Sequence, residues 1–314
     1  MLKRLLRLLP ALISVILLIA SIWVIRQELQ QYQSQEIWRH LAAIPRSSLG
    51  WAIALTLLNV FVFTGYDTLA ARYVRHPLPY AQTAIAAATS IPVSNSVGLA
   101  LLSGSAIRYR FYAPWGVPPL KIAQIIAFCN LSFWLGLFSV GGLLFLLLPI
   151  KIPPSLHLPV DSTQPIGAIF LSVIVAYLLW NVFSPKSLSL GKTTIPHLPI
   201  PLCIGQIAVS SLDWTLAAAV LYALLPTPAA VPYTVPYTAY FGIYLLAQFA
   251  GVVSNVPGGL GVFETVMLLL LRAMVPSSAL FGALIAYRVV YYLLPLSLAV
   301  LLMAGYEIWS RPVD

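Results

Sequence analysis

The stretch VSNSVG at residues 93–98, followed by SGSAIRYR at 103–110, interrupts otherwise apolar sequence. A second break of the same kind, VSNVPGGLG, occupies residues 253–261 and leads to Glu264. Glycine and proline open the helical backbone, and a membrane tolerates the freed N–H and C=O groups only where protein or a water-filled cavity satisfies them. Broken helices at corresponding places in two halves of a chain indicate a transporter's binding site. The two breaks therefore predict where such a site lies.

The composition predicts a polytopic membrane protein. Apolar residues make up 60% of the 314 positions and charged residues only 8%. Several apolar runs, such as 122–150, reach the roughly 18–20 residues that cross a bilayer. The net charge is +9, and the basic residues are spread over loops, as is typical of the cytoplasmic side of a membrane protein. Because they are not gathered on one soluble face, no nucleic-acid partner is predicted. The two cysteines lie in apolar stretches, so no disulfide or metal site is expected.

Charge counting gives an all-α topology of about six full spans and two broken hairpins. The spans are expected at about 8–25 (a retained anchor), 48–70, 119–149, 166–184, 200–226 and 278–305, with an amphipathic helix at 27–44. Residues 80–112 are expected to dip into the membrane and return, because a full crossing would put Arg108 and Arg110 outside. Residues 237–274 form either a second re-entrant hairpin or two short spans. Both termini are then cytoplasmic.

The two halves of the chain have the same layout. Residues 1–150 and 166–308 each contain a plain span, a span with an aspartate, a broken hairpin and a long span. Asp67 and Asp213 each precede a Val-Ser-Asn break. The first half starts by leaving the cytoplasm and the second by entering it, so the repeat is expected to be inverted within a single domain, residues 1–314.

Four charged residues are expected to lie within spans or at a break, where charge is costly. Asp67 either faces a polar path or simply reaches water or Arg72. Asp213 lies deeper, and Glu264 either caps a helix or joins the path. Arg288 lacks a polar neighbour on its own helix except tyrosines, so it needs a ligand anion or an acidic partner, for which Asp213 and Glu264 are the candidates. It could instead lock the two halves together.

Arginines and small polar residues complete the candidate substrate-binding or translocation set. Arg108 and Arg110 suit phosphate oxygens, or else mark only the cytoplasmic side. The polar side chains at the breaks either satisfy freed backbone or coordinate a headgroup. The full set is Asp67, Asn95, Ser103, Arg108, Arg110, Asp213, Asn255, Glu264 and Arg288.

No catalytic or cofactor-binding motif is present in the sequence. The four histidines lack metal-ligand spacing, and no P-loop, HExxH or GxSxG occurs. We therefore expect no metal, no cofactor and no enzymatic activity. An ATP-driven pump would need a motor from another chain.

Several motifs together resemble the membrane region of the lysylphosphatidylglycerol synthase (multiple peptide resistance factor) family. They are NSVG at 95–98, SGSAIRYRFY at 103–112, FWLG at 133–136, SLDW at 211–214, PGGLGVFE at 257–264 and YRVVYYLLP at 287–295. The resemblance implies a flippase-type domain of the bacterial inner membrane. Full-length members add a second membrane part and a soluble domain that transfers an aminoacyl group from tRNA to phosphatidylglycerol. Because this sequence stops at Asp314, we expect a stand-alone member without that activity.

The sequence thus favours a translocase for a phospholipid or lipid-linked headgroup, with an anionic or phosphate-bearing lipid as partner. One alternative is an intramembrane lipid-modifying enzyme with paired carboxylates as acid and base. Another is a non-transporting, lipid-binding partner subunit of a membrane enzyme. The lipid, the direction and energy source of transport, and the oligomeric state stay open.

Overall fold

The computed structural model describes residues 41–97, 100–152, 161–183, 188–190, 193–195, 198–226, 235–254, 257–272 and 274–309. The helices are α1 (Arg46–Tyr73), α2 (Tyr80–Val97), α3 (Ala100–Tyr112), α4 (Pro119–Leu147), α5 (Gln164–Phe183), α6 (Ile200–Leu224), α7 (Tyr237–Val253), α8 (Val262–Leu271), α9 (Ser277–Tyr287) and α10 (Leu294–Trp309). A 3-10 turn (Pro257–Gly259) precedes α8, and a π-helix (Arg288–Leu293) joins α9 to α10.

Apart from turns and an isolated β-bridge between Lys151 and Ser162, the described residues form helices and one small hairpin that the sequence did not predict. Strands β1 (Leu188–Leu190) and β2 (Thr193–Ile195) pair antiparallel, with Leu188 opposite Ile195. The hairpin lies in the loop between α5 and α6, outside the long apolar helices.

Proline residues mark the starts of five of the ten described helices. A proline lies directly before the first turn of α1, α4, α6, α7 and α9. In that order the prolines are Pro45, Pro118, Pro199, Pro236 and Pro276. Proline cannot donate a backbone hydrogen bond, and the first turn of a helix needs none from it. These prolines therefore set where each apolar segment becomes helical.

Within the described ranges, five helical stretches are long and apolar enough to cross a membrane. They are α1, α4, α5, α6 and the continuous stretch Ser277–Ile308. All five coincide with predicted spans, whereas the predicted span at about 8–25 and nearly all of the amphipathic segment at 27–44 lie outside the described residues. Two shorter apolar helices, Tyr237–Val253 and Val262–Leu271, flank the second break. The total number of crossings and the inverted repeat stay predictions.

Close helix packing depends on small residues. α1 lies along α6, and α4 packs against both α5 and α6. A Cβ atom at Gly136 of α4 would lie 2.5 Å from the carbonyl carbon of Ser210 in α6, so these helices touch backbone to backbone. Large apolar side chains such as Phe61 (63% exposed) and Phe183 (76% exposed) point outward, as expected of a lipid-facing surface.

Candidate functional site

The first break separates α2 from α3, which pack against each other. Gly104 of α3 lies so close to Ser94 of α2 that a Cβ atom there would overlap the serine hydroxyl. The Ser94 hydroxyl donates to the Ser90 carbonyl at 2.9 Å, and the Ser96 hydroxyl donates to the Pro92 carbonyl at 2.9 Å. These two hydroxyls therefore bind their own helix, while Asn95 and Ser103 are only partly buried.

The second break depends on glycines in left-handed conformations. Gly258, Gly259 and Gly261 have φ values of 60°, 64° and 76°, which other residues adopt only with strain. The Gly261 N–H donates to Oε2 of Glu264 at 2.8 Å. Glu264 thus caps the first turn of α8, where the helix dipole favours a carboxylate.

The two breaks meet. A Cβ atom at Gly258 would lie 3.5 Å from the carbonyl oxygen of Asn95 and 3.7 Å from that of Ser96. Nη1 of Arg288 donates to the Gly258 carbonyl at 2.6 Å, so this arginine anchors the point of contact. The end of α2 also packs against the π-helix that Arg288 begins. Asn255 lies outside the described residues.

Arg288 forms a buried ion pair with Glu264. Its Nε and Nη2 atoms donate to Oε1 of Glu264 at 2.8 and 2.6 Å, and each side chain is 8% exposed. The guanidinium lies over the Tyr292 ring at 4.7 Å and the Phe263 ring at 5.8 Å. Of the two acidic partners that the sequence offered, Glu264 is therefore the one used. A π-helix at this point is typical of a functional segment.

Asp67 forms the corresponding buried pair in the first half. Nε and Nη2 of Arg108 donate to its two carboxylate oxygens at 2.9 and 2.8 Å, and the Tyr112 hydroxyl donates at 2.8 Å. Asp67 is fully buried and Arg108 is 5% exposed. The alternatives in which Asp67 reaches water or pairs with Arg72 do not hold, because Asp67 is fully buried and Arg108 and Tyr112 donate to its two carboxylate oxygens.

Arg110 lies only two residues beyond Arg108 on α3, yet it has a different environment. It pairs with Glu307 of α10, and the two side chains are 30% and 32% exposed. The two arginines that the sequence grouped as one phosphate-attracting pair are thus separated. One is buried and fully engaged by a carboxylate, and the other lies near the surface.

In the part of the chain that the structure describes, the donors to Asp213 on α6 are neutral. The Asn59 amide donates to its Oδ1 at 3.1 Å and to its backbone carbonyl at 2.9 Å, and the Tyr66 hydroxyl donates to Oδ2 at 2.7 Å. Asp213 is 7% exposed and takes part in none of the ion pairs found among the described residues. Asn59 and Tyr66 were missed, although two polar residues seven apart on one face of an apolar span were a signal.

The three buried carboxylates are held separately. Asp67, Asp213 and Glu264 each bind their own donors, and no hydrogen bond found among the described residues joins one to another. Within the same part of the chain, no group of three His, Cys, Asp or Glu side chains could hold a metal ion. Helix α1 carries Asp67, which pairs with Arg108, and also Asn59 and Tyr66, which donate to Asp213. It therefore connects the buried polar contacts of the two halves.

Comparison with known proteins identifies several relatives of this chain. No family model matches the chain. An uncharacterized protein of Synechocystis sp. is 47% identical over 299 residues, which cover 95% of this chain and 92% of that protein. The inner membrane protein YbhN of Escherichia coli is 28% identical over 275 residues, 85% of this chain and 82% of YbhN.

A more distant match concerns an enzyme that is much longer. The phosphatidylglycerol lysyltransferase of Staphylococcus haemolyticus is 25% identical over 306 residues, which are 96% of this chain but only 34% of the enzyme. The resemblance inferred from the motifs is thereby confirmed over nearly the whole chain. This multi-pass membrane protein belongs to one family with its cyanobacterial relative, and it is homologous to YbhN and to phosphatidylglycerol lysyltransferase.

Proposed function

We propose that the protein translocates a phospholipid or a lipid-linked headgroup across the bacterial inner membrane. The observation that carries the proposal is the meeting of the two breaks at Arg288, with Gly258 beside the Asn95 and Ser96 carbonyls. Broken helices that meet between two halves are where transporters bind their cargo. The names of two relatives support this proposal. One is an inner membrane protein, which fits the compartment, and the other is an enzyme of phosphatidylglycerol, which fits the class of lipid.

Two buried arginines supply the phosphate chemistry. Arg108 and Arg288 each present a planar fork that is occupied by a carboxylate in this structure. A headgroup phosphate offers the same paired oxygens, so it can replace Asp67 or Glu264 as the acceptor. Pairing keeps the charges neutral while no lipid is bound, which lowers their cost inside the membrane.

Asp213 has a different role in the proposal. Because its donors are the neutral Asn59 and Tyr66, its charge is not cancelled by a cation within the described residues. Uptake of one proton would cancel it and change the contact between α1 and α6. We propose that Asp213 couples the uptake of a proton to the movement of the two halves.

The enzyme alternative receives less support from the geometry. Acid and base catalysis by paired carboxylates requires two carboxylates on either side of one substrate bond. Each of the three buried carboxylates instead binds a separate set of donors. The partner-subunit alternative predicts no transport at all, so one assay separates it from translocation.

The test is lipid scrambling by the purified protein in phosphatidylcholine and phosphatidylglycerol liposomes. Fluorescent phosphatidylglycerol in the inner leaflet should become accessible to dithionite in the wild type. Asp213→Asn and Glu264→Gln should each slow this at least about tenfold, which corresponds to about 1.4 kcal/mol on the barrier. Glu307→Gln, which alters a partly exposed pair, is the control and should stay within about twofold. Unchanged rates for both buried variants, with the protein folded, contradict the proposal.

A further inference from the structure

A basic cavity lies at the junction of α1 and α2, away from the meeting point of the breaks. Its volume is about 550 Å³. The polar side chains that line it are Thr68, Arg72, Arg75, His76, Tyr80 and Thr83. None of these residues takes part in the translocation path proposed above, and no acidic side chain lines the cavity.

Two arginines of the cavity have no carboxylate partner in the described part of the chain. The ion pairs found there use Arg108, Arg110 and Arg288, whereas Arg72 and Arg75 are exposed. A cavity wall with two such guanidinium groups carries a positive potential that attracts anions.

The backbone turn after α1 brings these side chains to one place. Arg75 has a φ of 50°. Among the described residues it is the only non-glycine residue with a positive φ. The turn is closed by the Arg75 N–H, which donates to the Arg72 carbonyl at 3.1 Å, and by the His76 N–H, which donates to the Ala71 carbonyl at 3.3 Å. Nζ of Lys121 lies 3.4 Å from the Arg75 carbonyl and adds a further positive charge beside the turn.

Hydroxyl groups tie the two helices together beneath the arginines. The Thr68 and Thr83 hydroxyls are 3.0 Å apart, and the hydroxyls of Thr64 and Tyr80 are 2.9 Å apart. Both contacts join α1 to the first turn of α2, so the cavity walls are held in place without a ligand. A preformed site loses less conformational entropy on binding.

We propose that this cavity binds the phosphate group of an anionic ligand, either a lipid headgroup or free phosphate. Arg72 and Arg75 supply the planar donors that match phosphate oxygens, and His76 supplies a further N–H. Helix α1 has 28 residues and is about 42 Å long, which exceeds the roughly 30 Å of the hydrocarbon core. The last turn of α1 can therefore reach headgroup level. The inference does not rest on translocation.

The test measures binding by isothermal titration calorimetry with the full chain in a neutral detergent. The probes are inorganic phosphate, dihexanoyl-phosphatidylglycerol and dihexanoyl-phosphatidylcholine. The variant is Arg72→Gln with Arg75→Gln. Its matched control is Arg46→Gln with Arg272→Gln, which removes the same charge from two exposed arginines outside the cavity.

We expect the wild type to bind phosphatidylglycerol more tightly than phosphatidylcholine, and the cavity variant to weaken that binding about tenfold or more. The control should change it by about twofold or less. Binding of both phosphatidylglycerol and inorganic phosphate identifies the phosphate group itself as the ligand, and binding of phosphatidylglycerol alone identifies a lipid headgroup.

Three results overturn the inference: no anionic probe binds, phosphatidylcholine binds equally well, or both double variants weaken binding equally. The scrambling assay is read separately, because the cavity variant keeps Asp213 and Glu264. A failure of translocation and a failure of this site are thus distinguishable.

Discussion

Replacing Arg108 with glutamine should destabilise the protein far more than replacing Arg110, two residues later on the same helix. Asp67 is fully buried and the Arg108 side chain is 6% exposed, with bonds of 2.9 and 2.8 Å between them. Removing one partner of a buried pair costs about 3–5 kcal/mol. Because Tyr112 still donates to Asp67, we expect the lower end, about 3 kcal/mol.

The Arg110→Gln variant is the matched comparison, since it breaks a pair whose side chains are about one third exposed. An exposed pair contributes about 0–1 kcal/mol. The free energy of unfolding is measured by titration with sodium dodecyl sulfate in mixed micelles, followed by the fluorescence of the 8 tryptophans. The difference between the two variants should be about 2–3 kcal/mol.

A second measurement tests the cost of leaving the buried Asp67 carboxylate without its arginine. Adding Asp67→Asn to Arg108→Gln removes the unpaired buried carboxylate, so the double variant should be less destabilised than the sum of the two single variants. If Arg108→Gln and Arg110→Gln instead agree within about 1 kcal/mol, burial does not control the strength of these pairs and the reasoning is refuted.

Two further predictions concern glycines and use thermal unfolding as the measurement. Gly259→Ala should lower stability by about 1–2 kcal/mol more than Gly116→Ala, because both have positive φ but only Gly259 faces a neighbour, the Cα atom of Gly251 at 3.1 Å from the added Cβ. Equal losses would mean that φ alone decides the cost. Gly136→Ala should cost about 1–3 kcal/mol because its Cβ would lie 2.5 Å from Ser210, whereas Gly305→Ala, with open space around it, should be neutral or stabilising. A neutral Gly136→Ala would show that α4 and α6 can separate freely.

The long helices and one ion pair were predictable from the sequence. Apolar runs and loop charges predicted the five candidate spans within a few residues. Arg288, with only tyrosines near it in its own span, needed an acidic partner or a ligand anion, and Glu264 was one of the two acidic candidates. Both inferences use information inside one helix or between neighbouring segments, which periodicity and charge reveal.

The remaining contacts of the site depend on how distant segments pack. Asp67 binds an arginine 41 residues later, and Asp213 binds Asn59 and Tyr66, which precede it by 154 and 147 residues. Helical spacing carries no information over such distances. Nothing in the spacing of Arg72 and Arg75 reveals a cavity whose other wall is α2.

The sequence separations of the buried pairs have a consequence for the order in which the protein is made. In each pair the carboxylate is synthesised first and its arginine follows, 41 residues later for Asp67 and 24 residues later for Glu264. The Asp67 pair can therefore close once α3 has been made, and the Glu264 pair once the π-helix after α9 has been made, since chains form their N-terminal parts first. Asp213 differs, because its donors Asn59 and Tyr66 lie in α1, which is synthesised long before α6. Its contact with α1 marks the moment at which the second half joins the first.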